Sequence, residues 1–264
     1  MKTISTELIY QVFSLIIAVI VVHAAYVAVI RPNASIFLEQ QAVQMALDEN
    51  YVPERSIFVL VRDYEQEACF ILLLWALAIM IYKAAIITRE RNLLQKDLIP
   101  LAEGMSILPE DTRDLSRQVQ ALPPSQQSYL LPRCLLTSLH RFYSTRNIQD
   151  VSTATRSVCE AESERLDSEL SMIRYIAWAI PSIGFIGTVR GIGDALGQAH
   201  KAVEGDIAGV TESLGVAFNS TLIALVISIV LMFVVYQLQH YQERLVLDTE
   251  TYCDERLIRH LQVR

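Results

Sequence analysis

The chain has 264 residues, 52% of them hydrophobic and 19% charged, with 22 Lys and Arg against 29 Asp and Glu. A net charge of −7 and an isoelectric point near 5.3 argue against nucleic acid as a partner. Mean hydropathy is only mildly high at +0.33, so the informative property is how the apolar residues cluster.

Taken in chain order, the first cluster runs from Leu8 to Ile30, apolar apart from Gln11, Ser14 and His23. A bilayer core takes ~20 apolar helical residues, so this run is long enough to span. It is too long for a signal core, and Arg31-Pro32 follows where a small-residue cleavage site would stand. An uncleaved span is therefore expected, with His23 bonded as a neutral imidazole to a neighbouring helix. Residues 31–67 read as an outward-facing loop. A second span follows from Cys69 to Ile87, interrupted only by Lys83.

Residues 88–170 read as a cytoplasmic helical segment. It is broken near "LPEDTR" and "ALPPSQQSYLLPR", where Pro123, Pro124 and Pro132 mark turns. The stretch Thr88 to Arg174 holds 11 of the 22 Lys and Arg, whereas Arg31 to Glu67 holds three. The positive-inside bias then places this segment and both termini in the cytoplasm.

Tyr175 to Val189 is a shorter apolar run that spans only if its helix continues past Arg190. Leu214 to Leu238 is a long one. Neither Gly nor Pro occurs after Gly215, so one helix from Val216 to Arg264, ~73 Å at 1.5 Å per residue, is expected. No strand-like alternation or internal repeat is present. The fold class is thus an all-α integral membrane protein with four transmembrane helices and long cytoplasmic helical extensions. Its parts are 1–87 with the first two spans, 88–170, a second span pair over 171–238, and a cytoplasmic helix over 239–264.

Motifs of soluble enzymes are missing. Gly191, Gly193 and Gly197 have the wrong spacing for a dinucleotide fingerprint and follow no strand. The five histidines show no metal-ligand spacing, and no CxxC pair occurs among Cys69, Cys134, Cys159 and Cys253. These thiols read as reduced and structural. Neither a cofactor nor covalent catalysis is expected.

The two C-terminal spans carry small residues at helical spacing. Ala177, Pro181, Gly184, Thr188, Gly191 and Ala195 recur at steps of three and four, as do Ala217, Thr221, Ala224 and Ser228. An antiparallel pair would bring Thr188 and Thr221 to similar depth. Two readings are open. Small faces are the usual means by which membrane helices approach, and threonine commonly bonds its own backbone. Alternatively, the small and hydroxyl groups line a lumen or receive a partner helix. Arg190 and Asp194, four apart, could pair near the outer interface. No Asp or Glu lies inside the four apolar runs, although a proton or sodium path normally needs an ionisable group at membrane depth. Either the protein moves no ions or the carboxylate arrives on another chain.

At these residues the sequence resembles the MotA/TolQ/ExbB proton channel family. "PSIGFIGTVRGI" is similar to its span signature and "AFNSTLIALVISIV" to its last-span pattern, the resemblance covering about residues 170 to 245. It implies a pentameric ring in the bacterial inner membrane, around two copies of a single-span, Asp-bearing partner like ExbD, TolR or MotB. Ion flow, H+ or Na+, would then drive mechanical work as in a stator or motor complex. Thr188 and Thr221 match the family's pathway threonines. Pro181, Gly184, Gly191, Ala177, Ala217, Ala224 and Ser228 would form the lumen or partner-helix face. Two departures stand out. ExbB- and TolQ-like members have three spans rather than four, and ExbB-like members place a Glu where this chain has Val216. The alternative is a helical membrane scaffold or signalling subunit that conducts nothing.

Overall fold

A computed structural model describes residues 2–47, 56–100 and 106–263, and no strand occurs among them. The fold is all-α, and four of its helices are long and apolar enough to cross a membrane.

The first span does not stop at Arg31-Pro32. Helix α1 (Lys2–Ala25) passes through a π turn at Tyr26–Ile30 into α2 (Arg31–Leu47). The π turn explains how the proline is accommodated. Pro32 offers no N–H and its ring would crowd the carbonyl four residues back. One widened turn, in which the Arg31 N–H bonds the Tyr26 carbonyl, relieves that crowding. The expected loop 31–67 is consequently helical over Arg31–Leu47 and again over α3 (Ile57–Leu60), while residues 48–55 lie outside the described residues.

Helix α4 (Tyr64–Leu94) begins with Glu65 and Glu67 in its first turn, where the helix dipole favours anions. Next come α5 (Thr112–Gln120), α6 (Pro124–Gln127), α7 (Leu130–Thr145) and α8 (Ile148–Glu169). Pro123 and Pro124 stand at a helix start as expected. Pro132 does not mark a turn; it lies in the first turn of α7, where a missing N–H breaks no helical bond.

Helix α9 (Ser171–Gly197) runs past Arg190, the condition for a fourth span. A short α10 (Ala199–Val203) leads to α11 (Ala208–Arg256), whose 49 residues begin and end eight residues earlier than expected. At its start the Asp206 carboxylate accepts the Ala208 N–H at 3.2 Å, so the helix begins there and absorbs Gly209 and Gly215. It ends because the following residues pair elsewhere: Ile107 exchanges backbone hydrogen bonds with His260 and Gln262 at 2.7 and 3.0 Å.

The described chain forms two compact units, Met1–Met80 with Met172–Val235 and Ile81–Ser171 with Tyr236–Arg264. In the first unit, large side chains such as Phe13, Ile20, Phe185, Ile229 and Phe233 are exposed along the spans, as lipid-facing surfaces require. Its helices are cross-tied by polar groups. Trp75 Nε1 donates to the Gln11 carbonyl at 2.9 Å, and the Tyr10 hydroxyl to that of Ala78 at 3.1 Å. His23 is bonded to a neighbouring helix as expected, its Nδ1 lying 2.7 Å from Glu67 Oε1.

The second unit has an ordinary buried core of Leu135, Leu139, Phe142, Val151, Cys253 and Leu257, among others. Among its buried polar groups the Gln242 amide has no hydrogen-bond partner among the described residues, whereas others are paired. Glu162, 2% exposed, receives Arg133 at 3.0 Å and Arg165 at 2.5 Å, and Ser138 meets Thr155 at 2.6 Å. Lys83, which interrupted the second apolar run, is answered by Glu169 at 2.8 Å. All four cysteines are buried and free.

Candidate functional site

The two small faces meet each other. Along the seam, Ala177 is joined to Ser228, Gly184 lies on Ala224, Gly187 on Ser220 and Gly191 on Ala217, so α9 and α11 run antiparallel. The approach leaves no room for side chains on α9. A Cβ at Gly191 would lie 2.8 Å from both Ala217 Cβ and the Ser213 carbonyl oxygen, and one at Gly184 would fall on Ala224 Cβ. Ala177, Gly184, Gly191, Ala195, Ala217 and Ala224 are all buried within this single chain. That part of the face expected to line a lumen or receive a partner helix is instead the contact surface between α9 and α11.

The seam has a second, more open edge. Pro181 and Thr188 on α9, and Thr221 and Ser228 on α11, are each only partly buried. The members of each pair stand seven apart, two helical turns along one side. Thr188 and Thr221 touch hydroxyl to hydroxyl. Around them are two carbonyl acceptors, Ala217 O at 3.0 Å from Thr188 Oγ1 and Gly184 O at 3.1 Å from Thr221 Oγ1. Thr188 Oγ1 also lies 3.4 Å from the Gly184 carbonyl of its own helix, so two hydroxyl protons are shared among four hydrogen-bond contacts. Either Thr188 donates to Thr221, which donates to Gly184 O, or Thr221 donates to Thr188, which donates to Ala217 O. The chain of bonds can run in either direction.

Ser228 answers a defect that Pro181 creates. Without an N–H at residue 181, the Ala177 carbonyl loses its helical partner, and in hydrocarbon such a group is costly. The Ser228 hydroxyl donates to that carbonyl at 3.1 Å. From sequence alone, a hydrated lumen or partner helix would tolerate the orphan; here the same chain supplies the donor. In a double-mutant cycle, Ser228→Ala is expected to cost about 1–3 kcal/mol, the penalty of a buried unpaired group. In a Pro181→Ala background residue 181 regains its N–H, and the same change should cost under about 0.5 kcal/mol. Thermal unfolding of the four proteins in one detergent measures this; equal costs in both backgrounds would remove the link.

Arg190 is not paired with Asp194 among the described residues. Its guanidinium donates to Glu65 Oε2 at 2.9 Å. Glu65 reaches the seam because residue 187 is glycine: its Cγ lies 3.2 Å from where a Cβ on Gly187 would stand. Beside it, Arg62 bonds Glu212 at 2.9 Å and Glu67 takes both His23 and Arg31, the latter at 2.5 Å. Burial pushes the Asp63 carboxyl above its usual range, and Arg62 partly opposes this. Sequence reasoning missed Glu65 and Glu67 because they stand just before the second apolar run, in what read as a loop. Two acids opening a span were the available signal.

The sequence model of the MotA/TolQ/ExbB proton channel family matches residues 127–251, a segment that holds the whole α9–α11 seam and both threonines. No curated protein matches the chain. Over residues 127–251 the chain is similar to the MotA/TolQ/ExbB proton channel family.

Proposed function

We propose that the protein is the ring-forming subunit of an ion-driven motor complex of the bacterial inner membrane, conducting protons or sodium ions. The carrying observation is the Thr188–Thr221 hydroxyl pair, set at the partly open edge of a seam packed tightly on its other side. Hydroxyls at membrane depth can pass hydrogen bonds along but hold no charge, so the essential carboxylate is assigned to a partner. That partner is a single-span, Asp-bearing protein like ExbD, TolR or MotB, two copies inside a ring of five of this chain. Pro181, Thr188, Thr221 and Ser228 would face it, and both termini would lie in the cytoplasm.

The competing reading, a scaffold that conducts nothing, is favoured by how fully the glycine and alanine face is used up in packing within the chain. One experiment separates the two. The chain is tagged and purified from its native membranes. Native mass spectrometry counts its partners, and vesicles holding the complex are tested with an imposed gradient and a pH- or sodium-sensitive dye. A five-to-two complex that passes ions is expected. A complex lacking any single-span partner and passing none would establish the scaffold.

A further inference from the structure

We propose that the cavity at the end of α4 binds the phosphate headgroup of an anionic phospholipid, with Arg89 and Lys96 as its cationic ligands and the acyl chain laid along α4. This adds a ligand to the protein. It requires only that α4 cross a bilayer, so it stands apart from ion conduction.

Three consecutive charged residues of α4 meet different fates. Glu90 is buried and accepts the Leu130 N–H at 3.2 Å. Arg91 is held by Asp248 at 2.8 Å and lies over the Tyr241 ring. Arg89 is exposed and has no ion-pair partner among the described residues, and the same holds for Lys96 in the turn after the helix. Other arginines of this unit are matched: Arg133, Arg156 and Arg165 each have a carboxylate oxygen at 3.0 Å or less. The two unmatched cations line one open cavity of about 260 Å³, together with Asn92, Leu93, Gln126 and Tyr129. Its walls offer a guanidinium, an ammonium, two amides and a phenol but no carboxylate, although the whole chain carries a net charge of −7. A set so rich in donors suits an anion with several oxygens.

The place of the cavity on the helix identifies that anion as a lipid's. The apolar run of the second span ends at Ile87. Arg89 follows after ~3 Å of helix rise, at the level where the phosphates of a bilayer lie. Ile81 and Ala85, two turns and one turn before Arg89 on the same face, are exposed, Ile81 by 67%. That face passes without a break from apolar to cationic, through Ile81, Ala85, Arg89 and Asn92 at steps of four, four and three. A soluble phosphate would use only its cationic end. A phospholipid uses both, with its acyl chain along Ile81 and Ala85 and its phosphate between Arg89 and Lys96.

The test places the full chain in vesicles of phosphatidylcholine with a minor share of phosphatidylglycerol. One lipid or the other carries a photoactivatable group on its acyl chain, and mass spectrometry maps the adducts. Phosphatidylglycerol label is expected to concentrate on the peptide holding Ile81 and Ala85. Phosphatidylcholine label, whose headgroup has no net charge, should not. Arg89→Gln should lower the phosphatidylglycerol adduct about fivefold, the worth of one charge at a membrane surface, and Arg89→Gln with Lys96→Gln more than tenfold. Both side chains are exposed, so these changes leave the packing of α4 alone. Arg141→Gln with Arg146→Gln removes the same charge from exposed positions toward the far end of α7 and should change nothing. Equal labelling by both lipids, labelling unchanged in the Arg89 and Lys96 double variant, or the same loss in the distant pair overturns the site. Inorganic phosphate at millimolar concentration separates the two sources of the anion. It should leave the adduct in place; displacement of the lipid would make this a soluble-anion site and overturn the proposal. Neither partner nor flux enters the assay. A protein that conducts but does not bind the lipid loses only this inference, and one that binds the lipid but never conducts loses only the channel reading.

Discussion

Replacing Thr188 and Thr221 together by valine is expected to cut ion flux through the complex by one to two orders of magnitude while leaving assembly intact. Valine keeps the shape of threonine and removes only the hydroxyl. The two hydroxyls touch, and their outer bonds go to the Ala217 and Gly184 carbonyls. Those carbonyls belong to helix interiors and keep their main-chain partners when the hydroxyls leave. The stability cost is thus the net worth of a neutral hydrogen bond, about 1 kcal/mol for each threonine. A path that uses the same bonds in its highest state loses a similar amount from the barrier, and about 1.4 kcal/mol is tenfold in rate. Each single variant should slow flux up to about tenfold, and the double more. Both bond directions pass through both oxygens, so each single change breaks the chain and the pair should be less than additive. Flux in vesicles, with native mass spectrometry as the assembly control, reads the result. Unchanged flux in an assembled double variant would mean that the hydroxyls only pack.

What could be read from sequence divides along physical lines. The spans are legible because a bilayer imposes length and apolarity on consecutive residues, and helical periodicity aligned Thr188 with Gly184 and Thr221 with Ala217. Closeness in space between distant residues has no such local signature. Arg190 has Asp194 one turn away but takes Glu65, 125 residues earlier in the chain. Whether a small face receives a neighbour of its own chain or of another is likewise not encoded in its spacing. Gly184, Gly187 and Gly191 look the same in either case, and only the position of α11 decides. Pro32 misled for a different reason. Proline usually ends a helix, and the π turn at Tyr26–Ile30 that lets this one continue follows no recognisable residue pattern.

The glycines of α9 provide a test within one helix of how tightly the seam is built. Gly184 and Gly191 lie against backbone and Cβ atoms of α11, whereas a Cβ on Gly193 or Gly197 meets nothing within 4 Å. All four are helical, so replacement by alanine brings the same gain in helix propensity, up to about 1 kcal/mol, at each site. At Gly193 and Gly197 nothing opposes that gain, and Gly193→Ala should leave the protein as stable as before or slightly more so. At Gly191 the new methyl would lie 2.8 Å from the Ser213 carbonyl and from Ala217 Cβ, and neither is the end of a flexible side chain. The helices must move apart, at a cost of about 1–3 kcal/mol for overpacking, so the net effect is destabilising. Gly184→Ala should behave alike, because it meets Ala224 Cβ with the Ser220 carbonyl oxygen 3.1 Å away. Separation at Gly184 also draws the Thr221 hydroxyl from the Gly184 carbonyl, so flux should fall along with stability. Thermal unfolding in detergent across the four variants gives the order. If Gly184→Ala and Gly191→Ala melt with Gly193→Ala, the helices are not in the close contact that brings the two threonines together, and the site built on that contact falls with it.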